Sequence, residues 1–317
     1  MSDTGHDAIG WTREITSNEG ERLLDVGGGI ELCCETFGDP TDPPLLLIMG
    51  LGMQMVHWQL GLVAQLVERG HYVVRFDNRD RGRSTHLPFA TPSLAQLFAR
   101  RFGPDQYRVE DMALDTVGLL DALELDSAHV VGVSMGGMIA QTVAVTSPGR
   151  VRSLTSIMST TGSRLAGQPR PRVYPLLFKL VPRERDAAVA YIVAFLSAIG
   201  VPGDTLDSPE GRAFIGESYD RDPDGRGTTR QLAAILASGN RTRRLRAITA
   251  PTLVIHGDSD PLIPCSGGRA TAKAIPGARF MLVPGMGHGL PERLWPLLVD
   301  AIAQHVAGAE RRAPAAI

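Results

Sequence analysis

The stretch His129-Val130-Val131-Gly132-Val133-Ser134-Met135-Gly136-Gly137-Met138-Ile139-Ala140 decides how this chain of 317 residues is read. Its opening residues are apolar and β-branched, as in a buried strand. Its closing residues, continuing to Ala144, combine helix formers with an apolar face. The G-x-S-x-G turn between them occurs once in the chain. A strand-to-helix turn of this kind strains the backbone at Ser134 and lifts its hydroxyl above the sheet. Glycines flank the serine because strand and helix pass too close for side chains. The competing reading is a glycine-rich turn in some other α/β fold, natural enough with 35 glycines. The surrounding chain has to decide.

Working outward, apolar runs of strand length recur at Leu45–Met49, His71–Phe76 and Val151–Met158, with helical spacing at Val56–Glu68 and Val109–Leu125. Continuous apolar strands alternating with helices predict a doubly wound, mostly parallel sheet. Before them, Arg22–Val26 and Ile30–Phe37 flank Gly27-Gly28-Gly29 as a hairpin. From Thr161 to Arg246 the pattern breaks. That stretch is rich in proline and arginine, with polar clusters at 203–210 and 220–230 and helical segments at Ala187–Ile199 and Arg230–Ala237. Strand character resumes at Thr252–His256. A helix near Ala270–Ile275, a strand at Arg279–Val283 and a closing helix at Leu294–Val306 follow. The expected organisation is a loose tail over 1–20, an α/β core over 21–160 and 247–317, and a helical cap over 161–246.

A net charge of -2, from 32 Lys+Arg against 34 Asp+Glu, implies no nucleic-acid surface. Cys33, Cys34 and Cys265 have no metal-ligand spacing and suggest no disulfide framework, which suits a reducing compartment. The first twenty residues lack the basic and apolar regions of a signal peptide. The longest apolar stretches are too short or too glycine-rich to span a bilayer. The expectation is a soluble, cytoplasmic protein with no metal and no organic cofactor; nothing in the sequence fixes an oligomeric state.

A serine hydroxyl is a weak nucleophile and needs a base, which a carboxylate must orient. In folds with this elbow the order along the chain is serine, acid, histidine. His288 follows the last strand in the loop Pro284-Gly285-Met286-Gly287-His288-Gly289 and is the expected base. His305 reads as a surface residue of the closing helix, and His256 as a packed strand residue. No Asp or Glu occurs from 127 to 183, so the acid falls to the turn Gly257-Asp258-Ser259-Asp260-Pro261. Asp260 is favoured by loop position, with Asp258 closing the turn through local hydrogen bonds. Backbone N–H donors for an oxyanion are expected at Met135 and, after the first parallel strand, at Leu51.

Four ordered motifs now stand together: Ile48-Met49-Gly50-Leu51-Gly52, Asp77-x-Arg79-x-x-Gly82-x-Ser84, Gly132–Gly136, and Gly257-x-x-Asp260 with Gly287-His288. They resemble the α/β-hydrolase family over nearly the whole chain outside the insertion. Asp77 through Thr85 and Pro284 through Pro291 are similar to the aclacinomycin methylesterase group, enzymes that hydrolyse a methyl ester on a polyketide. The resemblance implies an α/β-hydrolase fold, a triad of Ser134, Asp260 and His288, and an oxyanion hole from Leu51 and Met135. Two features depart from it: Met49-Gly50 stands where His-Gly is common, and the insertion has no recognisable similarity.

The expected reaction is hydrolysis of an apolar small-molecule ester through an acyl-enzyme. The same residues serve lactones, thioesters and some carbon–carbon bonds, and a ligand receptor of this fold can keep all three without turnover. Met53 and Trp58 after the oxyanion turn, and Tyr191 and Phe195 in the insertion, are candidate pocket residues, with Phe178 among the apolar residues beside them. Asp77 and Arg79 read as a buried carboxylate–guanidinium pair holding neighbouring loops.

Overall fold

Pro44–Ile48 (β3) is buried at all five positions, and its alternate residues feed two separate cores. Leu46 and Ile48 face one apolar cluster, Leu45 and Leu47 the other, as the period of two in a strand requires. β3 pairs in parallel with Tyr72–Phe76 (β4) on one side and Ala128–Val133 (β5) on the other. The computed structural model describes residues 15–177, 181–182, 184–200 and 206–312.

The hairpin Arg22–Asp25 (β1) and Glu31–Phe37 (β2) adds antiparallel strands beyond β4. Val151–Ile157 (β6), Thr252–Gly257 (β7) and Arg279–Val283 (β8) extend the sheet in parallel beyond β5. The order is β1-β2-β4-β3-β5-β6-β7-β8. Leu60–Val67 (α1) lies between β3 and β4; Leu94–Ala99 (α2) and Val109–Ala122 (α3) lie between β4 and β5; Met135–Thr146 (α4) follows β5. Between β6 and β7 come Tyr174–Leu177 (α5), Arg185–Ile199 (α6), Pro209–Arg221 (α7) and Arg226–Ser238 (α8). Ser266–Ala274 (α9) and Trp295–Glu310 (α10) complete the chain order.

Residues of α3 and α4 fill one core, and residues of α1 and α10 the other. The sheet is thus covered on both faces, as its apolar strands predict. From β3 the chain moves to β4 on one side; from β5 it moves outward to β6 on the other. The carboxyl ends of β3 and β5 therefore flank the point where the winding reverses, the usual place for a ligand crevice.

Several details differ from the sequence reading. α2 and α7 were not expected, and α1 is shorter because Met55–His57 forms a separate 3-10 turn. His305 is buried, with Nε2 3.1 Å from the Pro251 carbonyl, because α10 turns that face onto the sheet. Of the expected tail, residues 1–14 lie outside the described residues, as does Phe178. The remainder lies along the core: Asn18 N–H donates to the Thr36 carbonyl at 2.8 Å and Ile15 packs on an apolar cluster. All three cysteines are free. Among the described residues no helix is long and apolar enough to cross a membrane.

Candidate active site

Ser134 joins β5 to α4 with φ 55° and ψ -116°, a strained conformation for a side-chain-bearing residue. The strain is held from several directions. Ser134 N–H donates to the Ile157 carbonyl at 2.9 Å, and its own carbonyl accepts the Ser159 hydroxyl at 2.7 Å. A Cβ at Gly132 would collide with the Gly136 carbonyl, and one at Gly136 with the Ile48 carbonyl. The glycine spacing thus reflects contact of β5, α4 and β3 at a single corner.

The structure brings Ser134, His288 and Asp260 into one line. His288 Nε2 lies 3.0 Å from Ser134 Oγ, and His288 Nδ1 lies 2.7 Å from Asp260 Oδ2. With Nδ1 protonated toward the carboxylate, Nε2 is free to accept the serine proton. Asp260 is fully buried after β7, and its other oxygen accepts the N–H groups of Leu262 and Ile263 at 2.9 and 2.8 Å. Burial pushes its pKa up, but electrostatic attraction to the adjacent His288 and hydrogen bonds from His256, His288 and Ile263 outweigh that and hold it at about 2. Asp258 is exposed and does something else: its Oδ1 accepts Gly285 N–H at 2.8 Å, tying the β7 turn to the histidine loop. His256 is buried in the core as expected, 2.6 Å from the Ile263 carbonyl.

Leu51 and Met135 stand on either side of the winding reversal, one just after β3 and the other at the start of α4. Among the described residues neither N–H is spent on an internal hydrogen bond. A Cβ at Gly50 would lie 3.2 Å from the Ser134 Cβ, so the turn passes directly beside Ser134. Asn78 Nδ2 donates to the Met49 carbonyl at 3.1 Å and fixes the turn from below.

A cavity of about 420 Å³ opens over Ser134 and His288, with Leu51 in its wall. Met53 and Phe195 line it. Trp58 and Tyr191 do not. The Trp58 ring is buried in the core with α1 and β3, because the 3-10 turn at Met55–His57 directs it inward. Tyr191 stacks on Phe195, with its hydroxyl 2.6 Å from the Leu176 carbonyl. His57, which the sequence reading did not single out, lines the cavity edge-on to Phe214. Burial lowers its pKa to about 4, with Arg81 and Arg221 acting the same way and a Gln54 backbone bond opposing, so the ring is neutral near pH 7.

The expected pair of Asp77 with Arg79 is not formed. Asp77 bonds Arg221 of α7 at 2.6 Å, and Arg79 bonds Asp115 of α3 at 2.5 Å. Asp80 takes Arg230 of α8 with contacts of 2.6 and 2.9 Å, and Arg81 takes Asp222 at 2.8 Å. Each charge has a distant partner, three of them on helices and Asp222 just past the end of α7; three of the four pairs clasp the loop after β4 to α7, its C-terminal cap and α8. No local signal marked those partners.

Comparison with known proteins agrees with this architecture. A family model described as alpha/beta hydrolase fold matches residues 43–198, and one described as TAP-like protein matches 234–304. Rhodomycin D methylesterase of Streptomyces peucetius is 29% identical, covering 94% of this chain and 99% of that protein. The rhodomycin D methylesterase of Streptomyces sp. (strain C5) is 30% identical over the same shares. Among solved structures, the enol-lactonase of Burkholderia xenovorans LB400 superposes with a TM-score of 0.67 at 21% identity, covering 91% of this chain and 100% of that one.

Proposed function

We propose, because this chain belongs to the α/β-hydrolase fold family and is an ester-hydrolysing enzyme of it, that it cleaves the methyl ester of a bulky, largely apolar acid through an acyl-enzyme on Ser134. The observation that carries this reading is the line of hydrogen bonds from Ser134 through His288 to Asp260, opening onto an apolar cavity. The similarity to two rhodomycin D methylesterases along nearly their whole length supports the choice of a methyl ester.

In this mechanism Ser134 Oγ attacks the ester carbonyl while His288 Nε2 takes its proton. Asp260 holds the imidazole in the required tautomer and stabilises its positive charge. The carbonyl oxygen becomes an oxyanion facing the N–H groups of Leu51 and Met135. His288 returns the proton to the departing alcohol, and the C–O bond of the tetrahedral intermediate breaks. Water, activated by the same histidine, then releases the acid and restores Ser134. Helices α5–α8 act as a cap whose apolar side chains, Phe195 among them, hold the acyl group. His57 supplies one neutral polar contact in that apolar wall.

The test is steady-state hydrolysis of a panel of methyl esters, p-nitrophenyl esters and lactones by wild type and Ser134→Ala. Wild type is expected to turn over esters repeatedly, preferring bulky apolar acids, and Ser134→Ala to lose at least about a thousandfold in rate. Equal rates for the two proteins would overturn the reading. Lactones outpacing every ester would move the substrate class.

A further inference from the structure

The turn carrying Leu51 is held by a residue from the far side of the sequence. Met53 N–H donates to the Gly50 carbonyl at 3.2 Å, and Gly52 in the third position has φ 68°. That is the pattern of a type II turn, in which the peptide joining the two central residues has one of two opposite orientations. Gly52 N–H belongs to that peptide. It donates to Gln231 Oε1 of α8 at 2.9 Å, while Gln231 Nε2 donates to the Arg79 carbonyl at 2.8 Å. Gln231 is completely buried, so both ends of its amide are used where water cannot substitute.

α8 is itself immobilised beside the turn. Arg230, next in sequence, makes a two-point contact with Asp80. A Cβ at Gly227 would collide with the Asp80 carbonyl, and one at Gly52 would lie 2.8 Å from Thr228 Cγ2. The helix therefore sits flush on both the loop after β4 and the turn after β3.

We propose that Gln231 is a positioning residue for the hydrolytic reaction, fixing from α8 the Leu51–Gly52 peptide and thereby the aim of the Leu51 N–H at the developing oxyanion. The inference rests on the ester-hydrolase reading above, with Ser134 as nucleophile and Leu51 as one oxyanion donor. Rotation of the Leu51–Gly52 peptide changes ψ of Leu51 and φ of Gly52; once the Gly52 N–H is no longer pinned, the turn is free to shift as a unit and carries with it the Leu51 N–H of the preceding peptide. That shift moves the donor, while the cavity residues contributed by the helices after β6, Phe195 and Phe214 among them, stay in place to hold the acyl group. A group that acts this way stabilises the transition state and leaves ground-state binding alone.

The experiment compares wild type, Gln231→Met and Ser134→Ala with p-nitrophenyl butyrate as substrate. Butylboronic acid serves as a tetrahedral mimic bound to the serine, and butyrate as a ground-state ligand. Gln231→Met keeps the volume and removes both hydrogen bonds. It is expected to lower kcat about tenfold to a hundredfold, with KM and butyrate affinity within about twofold of wild type. Boronate affinity is expected to fall in parallel with kcat. A folded Gln231→Met enzyme with wild-type kcat and boronate affinity would overturn the proposal. So would an equal loss of butyrate and boronate affinity, the mark of general damage to the cavity. Should Gln231→Met not fold, Gln231→Asn, whose amide falls one methylene short of Gly52, is read against the same expectations. Undiminished hydrolysis by Ser134→Ala would instead remove the reading beneath it.

Discussion

Asp260 is ionised in a place that disfavours charge. Burial raises its pKa, yet His288, His256 and the Ile263 amide bring it down to about 2. The folded value lies below that of an unfolded aspartate, about 3.9. Its contribution to stability is therefore complete above about pH 4 and lost as the pH falls through about 2; the shift corresponds to about 3 kcal/mol. Acid unfolding followed by circular dichroism should show this slope in wild type and a shallower one in Asp260→Asn. In catalysis the two neighbouring aspartates should separate sharply. Asp260→Asn is expected to lower kcat on the order of 10⁴-fold by removing the acceptor that sets the His288 tautomer, and Asp258→Asn to stay within a few-fold. A larger kinetic loss at Asp258 would reverse the assignment. Asp260 was legible because acids are absent from 127 to 183 and, of the two later loops that follow a strand, only the one after β7 carries aspartates. His57 was not, since its place in the cavity wall depends on a 3-10 turn with no periodic signature.

Among the elements, the loop after β4 and helices α7 and α8 depend on one another. Arg230→Met would leave Asp80 buried without its cation. Such a loss costs about 3–5 kcal/mol, or a fall in Tm on the order of 10 °C for a chain of this size. Calorimetry checks it; an unchanged Tm would mean that water reaches Asp80. Gly136→Ala tests the elbow differently, because the new methyl meets the Ile48 carbonyl. Expression of folded Gly136→Ala with an unchanged melting curve would contradict the close approach of α4 to β3. The strands were readable because both faces are buried, which leaves unbroken apolar runs such as Leu45–Met49. α7 was missed because its buried residues are few and small, with Ile215 the one large apolar side chain among them. Pairings such as Arg81–Asp222 and Arg230–Asp80 span 141 and 150 positions and leave no trace in any local window.

At the scale of the molecule, the cavity of about 420 Å³ lies between the sheet's carboxyl edge and the helices that follow β6. Each methylene buried there is worth about 0.8 kcal/mol. Along a series of p-nitrophenyl esters kcat/KM should therefore rise about fourfold per carbon until the space is filled. A flat series would place the acyl group outside the cavity. The doubly wound sheet could be read from the alternation of strands and helices. The way the helices after β6 seat on the core could not, because it is fixed by charges drawn from opposite halves of the chain. Those charges also impose a timetable on synthesis. A ribosome makes Asp80 150 residues before Arg230, a wait of roughly 8–30 s at ordinary elongation rates. Through that interval the nascent strand end carries carboxylates whose counter-ions have not yet been translated. The amino-terminal half can collapse early, but its corner beside Ser134 closes only after α8 has left the exit tunnel.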